Sequence, residues 1–168
     1  MAEKDEEEIE ITFAENKKAV FKFAGRVGNF FAPISGNLGE YPSMWFSNKT
    51  WNDTAIALYL KGYESEIPND SIQFLNHFFD NLDYYKQLAI KALVSFGNLD
   101  WNTDQFTTNE EDWTLLSLLY FGEGPGIGFK ANFGMAFYPN EKRWIDIYCQ
   151  WFVTFYNGRL VGVNRVQW

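Results

Sequence analysis

A chain of 168 residues, 46% hydrophobic and 21% charged, is long enough for one domain that buries about two-thirds of its unfolded surface. No stretch approaches the ~20 apolar residues of a membrane-spanning helix, no basic stripe suits nucleic acid, and the single Cys149 excludes an internal disulfide. The net charge of −8 is gathered at the start: residues 1–10 hold six acids and one lysine, which leaves −3 for the rest.

That acidic opening is the reverse of a secretory signal, so a cytoplasmic protein is expected. Residues 1–8 read as an acidic tail, expected to be disordered, and 9–168 as a single α+β domain. Ile9 to Phe13 alternates apolar and polar residues as a half-buried strand does, and after the polar break Glu15-Asn16-Lys17-Lys18 the run Val20 to Phe23 completes a hairpin. Gly25 to Pro42, rich in Gly, Asn and Pro, reads as a long loop. Asp53 to Lys61 alternates again, with Thr54, Ile56, Leu58 and Leu60 on one face.

Two helices follow. Pro68-Asn69-Asp70-Ser71 offers capping residues ahead of a seam at Ile72, Leu75, Phe79 and Leu82, widened by Phe74 and Phe78. Asp83 opens the second, with Tyr85, Leu88, Ala89, Ala92, Leu93 and Phe96 inward, Lys86, Gln87 and Lys91 outward, and Gly97 at the expected stop. Trp113 to Phe121, apolar on both faces, fits a central strand or a short helix. Gly122 to Gly128 is a turn, and Phe129 to Tyr138 alternates clearly. Pro139-Asn140 then leads into Trp144 to Tyr156. Asn157-Gly158 predicts a tight type I′ turn, which returns the chain as Leu160 to Trp168. The resulting fold is α+β, a largely antiparallel sheet with a two-helix hairpin packed on one face.

With Tyr156 opposite Arg159, one face of the terminal hairpin collects Ile145, Ile147, Cys149, Trp151, Val153 and Phe155. Asn164, opposite Trp151 on that face, marks a bulge. The other face carries Trp144, Asp146, Tyr148, Gln150, Tyr156, Arg159 and Arg165, together with Phe152 and Thr154. Two readings of it stand: a half-covered sheet surface, or a contact surface, since Tyr, Trp and Arg desolvate large areas and keep polar tips.

Catalytic signals are sparse. His77 sits on a polar helix face with no nucleophile near it in sequence, and Cys149 lies on an apolar strand face. Glu110-Glu111-Asp112 fits a charged lead-in to a structural element better than an acid/base set. Asp146 would need a second carboxylate to act in a glycosidase-like dyad. The segment Gly122-Glu123-Gly124-Pro125-Gly126-Ile127-Gly128 matches neither nucleotide-loop pattern, and the sequons at Asn48 and Asn52 lack a secretory signal. No catalytic residue, metal ligand or cofactor is assigned.

Several segments share an order of elements: Thr54 to Leu60, the helical run from Ile72-Gln73-Phe74-Leu75 to Leu93 with Asn81-Leu82, Asp146-Ile147-Tyr148, and Phe152 to Val163. In this order the chain resembles a bacterial domain-of-unknown-function family, the one numbered two thousand and four. Such families are similar in style to the small immunity proteins that protect bacteria from toxins. With the missing catalytic set and the aromatic hairpin face, the leading expectation is a non-enzymatic, cytoplasmic protein-binding module of this immunity type with a toxin-like protein partner, and no nucleic acid or membrane partner is expected. The aromatic face would also serve a small-molecule or carbohydrate ligand, even a cryptic hydrolase site, and the oligomeric state is left open.

Overall fold

The computed structural model describes residues 7–26, 43–51, 54–100, 107–122, 131–140 and 149–167. In chain order they form β1 (Glu8–Phe13), β2 (Lys17–Arg26), β3 (Ser43–Trp51), β4 (Thr54–Lys61), α1 (Asn69–Asp80) and α2 (Leu82–Asp100). A 3₁₀ turn (Glu110–Asp112) then leads to β5 (Trp113–Tyr120), β6 (Phe133–Pro139), β7 (Cys149–Tyr156) and β8 (Arg159–Gln167). The eight strands make one sheet whose spatial order is the chain order. Every neighbouring pair is antiparallel except β4 and β5, which run parallel. A parallel step requires a crossover, and the two helices supply it: two four-stranded meanders are joined side by side through α1 and α2. The α+β class with helices on the sheet is therefore as expected.

The first hairpin turns through Ala14, Glu15 and Asn16, all at positive φ (32°, 55° and 69°). Such a turn is held from outside: the Ala14 N–H donates to Asn76 Oδ1 at 2.8 Å, while Asn76 Nδ2 donates to the Ile72 carbonyl at 3.1 Å. Asn76 of α1 thus clamps the β1–β2 turn. Asn76→Ala should cost about 1–2 kcal/mol in equilibrium denaturation, because the part-buried Ala14 N–H loses its acceptor; an unchanged midpoint would contradict this clamp.

The tail ends earlier than expected. Glu8 already belongs to β1, Lys22 Nζ stands 3.0 Å from Glu8 Oε1, and Lys18 Nζ stands 2.8 Å from Glu10 Oε1. Part of the acidity assigned to a solvated tail is cross-strand pairing on an exposed sheet face. β3 is a strand for which the periodicity gave no signal. It places the buried Trp45 and Ser47 on the helix side, and Trp45 Nε1 donates to the Tyr63 carbonyl at 2.8 Å.

At the start of α1 the expected side-chain cap is absent. Pro68 holds the N-cap position, and Ser71, fully buried, donates from Oγ to the Lys61 carbonyl at 2.8 Å, tying the helix to the end of β4. Leu75, Phe78, Phe79 and Leu82 bury the predicted seam. In α2 Tyr85, Ala89 and Leu93 of the predicted inward set are buried and Leu88, Ala92 and Phe96 partly so, joined by the buried Ile90. Gly97 does not end this helix; it is buried inside the final turn, which runs on to Asp100.

Between helices and sheet lies an aromatic core. Phe133 stacks on Phe155 (centroids 4.7 Å apart, planes at 5°) and meets Phe74 and Tyr85, each at 5.1 Å. Further along, Trp151 packs edge-on against Trp113 at 6.0 Å and Phe96 at 5.8 Å. The opposite face is not bare: Leu119, Phe121, Ala131, Ala136 and Phe152 form a second, smaller buried cluster. Much of the aromatic content is therefore core.

Candidate functional site

The terminal hairpin forms at the predicted place. Asn157 and Gly158 take φ of 48° and 71°, as the two-residue turn demands. Asn132 anchors it: Asn132 Oδ1 accepts from the Asn157 N–H at 2.5 Å, the Asn132 N–H donates to the Phe155 carbonyl at 2.7 Å, and Asn132 Nδ2 donates to the Gly122 carbonyl at 2.9 Å.

The register departs from the expected one within a few residues. Tyr156 pairs with Arg159 and Phe155 with Leu160, but Thr154 pairs with Gly162, so Val161 is the extra residue of a bulge. The bulge signalled by Asn164 exists, but it lies three residues earlier than the mismatch suggested. Its effect is to place Asn164 opposite Phe152 rather than Trp151, and Arg165 opposite Trp151 rather than Gln150. A one-residue shift moves every later side chain to the other face. Arg165 therefore leaves the proposed aromatic face and stands on the helix side of the exposed edge strand, and Val163 packs against the main core.

Of the remaining residues named for that face, Gln150 and Tyr156 are half-buried and Arg159 is exposed. Trp144, Asp146 and Tyr148 lie outside the described residues. Phe152 and Thr154 are buried. The middle of this face is thus closed, and the open surface of the hairpin is β8 itself. Leu160 is 36% and Val161 49% exposed, flanked by the exposed Arg159 and Arg165.

A second feature escaped the periodicity. Where α2 begins, a cleft of 410 Å³ opens against the start of β5 and the end of β6. Its floor is apolar (Ile56, Leu82, Trp113, Leu115) and its rim is charged. Lys86 Nζ meets Glu110 Oε2 at 2.9 Å, with Asp83 and Glu111 beside them. Asn140 closes one wall by accepting from Thr114 Oγ1 at 2.5 Å and donating to the Glu111 carbonyl. As expected, Glu110-Glu111-Asp112 leads into a strand, and Asn109 Oδ1 caps the turn through the Glu111 N–H at 3.3 Å. Lys86 and Glu110 are 24 residues apart, and no local pattern links them.

His77 bridges the helices. Its Nδ1 lies 3.4 Å from Asn81 Nδ2, and its Nε2 lies 3.0 Å from the Tyr85 hydroxyl. Burial, with Tyr84 as a lesser contribution, raises the Tyr85 phenol above its ordinary pKa of 10.0; burial alone raises that of Tyr59. Above pH 10 the unfolded chain loses these protons before the folded one does, so stability falls as pH rises through the raised values. Thermal melts of the Tyr59→Phe/Tyr85→Phe variant should show a shallower alkaline decline than wild type, whereas an unchanged slope would assign the decline to other groups.

Among the described residues no three His, Cys, Asp or Glu side chains gather as a metal centre requires, and no helix is long and apolar enough to cross a membrane. No protein-family model, curated protein or solved structure matches the chain.

Proposed function

We propose that this protein is a non-enzymatic, cytoplasmic protein-binding module of the bacterial immunity type, and that it meets a toxin-like partner through its terminal hairpin. The observation that carries this reading is the open surface of β8, where Leu160 and Val161 stand exposed between Arg159 and Arg165. Exposed apolar side chains on a strand that carries an arginine on each face suit a contact along the strand edge, because arginine retains strong directed bonds after losing water. The hairpin turn is pinned by Asn132, so this surface is presented in one geometry and its ordering costs little on binding.

Capture from lysate of the native host tests it. Wild-type protein should retain one stoichiometric partner, and Arg159→Glu/Arg165→Glu should bind that partner at least about tenfold more weakly. Equal retention by both proteins would remove the hairpin from the interface.

The cleft supports a second reading, binding of a small molecule or sugar, since an apolar floor including Trp113 and a polar rim enclose a volume in the range of ligand sites. Saturable quenching of tryptophan fluorescence by a ligand, lost on filling the cleft with Thr114→Trp, would favour it.

A further inference from the structure

The two edges of the sheet are built differently. Exposed strand edges invite pairing with other chains, and proteins blunt them with charged residues, Lys or Pro. β1 follows that rule, with Glu8 and Glu10 along it and an acidic run before it. β8, Arg-Leu-Val-Gly-Val-Asn-Arg-Val-Gln, holds no acid, no lysine and no proline. Its bulge at Val161 interrupts the edge only beside the turn. From Thr154↔Gly162 to Cys149↔Gln167 the ladder is regular, so Gly162 to Gln167 presents an even run of backbone outward. β8 is last in the sheet order, and among the described residues no strand lies beyond it.

Charge selects the occupant. Residues 149–168 contain Arg159 and Arg165 and no Asp or Glu, in a chain whose net charge is −8. We propose that β8 receives an extended acidic strand of the partner protein, added to the sheet as a ninth strand. This rests on the protein-binding reading above. Backbone bonds to Gly162–Gln167 supply the pairing, and acidic side chains of the incoming strand meet Arg159 on one face of the sheet and Arg165 on the other. Its apolar side chains cover Leu160 and Val161. The same arginines disfavour a second copy of β8, which would bring like charge to the edge.

The probes are two fluorophore-labelled octapeptides, one repeating Glu-Glu-Val-Val and the other repeating Lys-Lys-Val-Val, so that charge stands on both faces of an added strand. Binding is read by anisotropy at low salt, and peptide-dependent hydrogen exchange is followed in β8. The acidic peptide should bind the wild-type protein at least about tenfold more tightly than the basic one and protect the amides of Gly162–Gln167. Arg159→Glu/Arg165→Glu, checked for folding by circular dichroism, should reverse that preference. Equal binding of the two peptides, or acidic-peptide binding that leaves those amides unprotected, overturns the proposal. If a host partner is still lost on arginine reversal while neither peptide binds, strand addition falls and the protein-binding reading stands. Loss of both results removes both. Sedimentation showing that the protein alone self-associates through β8 would make the occupant a second copy and overturn the acidic-partner assignment.

Discussion

Phe133→Ala should lower the unfolding free energy by about 3–5 kcal/mol. Phe133 begins β6 almost fully buried, stacks on Phe155 at 4.7 Å, and meets side chains of both helices, Phe74 and Phe78 from α1 and Tyr85 from α2. Removing the ring leaves a cavity where sheet and both helices meet. Stiff neighbouring rings have little freedom to collapse into it, so the cavity penalty adds to the lost burial. Urea denaturation should show a lower midpoint at an unchanged slope. A loss below about 1 kcal/mol would mean that the helices do not close over this ring as described.

Gly134→Ala, one residue on and facing the other way, should cost about 1–3 kcal/mol by overpacking the second cluster. A Cβ built on Gly134 would lie 2.3 Å from Phe152 Cζ and 2.5 Å from a second carbon of the ring, contacts that real structures do not tolerate. Phe152 is itself buried in the second cluster, so its ring must shift within packed surroundings to admit the methyl. The diagnostic is coupling: in Gly134→Ala/Phe152→Leu the added methyl gains room, so the double variant should be more stable than the sum of the single losses allows. Strict additivity would show that the ring does not press on β6.

Both predictions concern burial on two faces of one sheet, and sequence pattern revealed only part of that arrangement. Ile9 to Phe13, Thr54 to Lys61, the two helices and the Asn157-Gly158 turn follow from period and turn chemistry alone, because each is a local property. β3 gave no signal because Ser47, a polar residue, occupies a buried position while Met44 and Trp45 are buried on opposite faces, so the alternation disappears. The predicted terminal register failed at Val161. A bulge is chosen by the pairing of two strands, and the mismatch at Asn164 announced one without locating it. Gly97 reads as a stop by propensity but is overridden by the packing of α2. The cleft joins Lys86, Glu110 and Asn140 across three elements, which no window along the chain contains.

For the site, Arg159 was recognisable as an exposed residue beside a tight turn, and Arg165 as its companion, although it lies on the other side of the strand. Their common feature is β8 rather than a sheet face. The claim that matters most is therefore that a partner covers this strand. Hydrogen exchange across the whole chain, measured on the protein alone and in complex with its host partner, tests it most directly. Slowed exchange is expected to concentrate in Arg159 to Gln167, with Lys86 and Glu110 to Leu115 unchanged. Protection centred on those cleft residues, with β8 exchanging as freely as before, would contradict it.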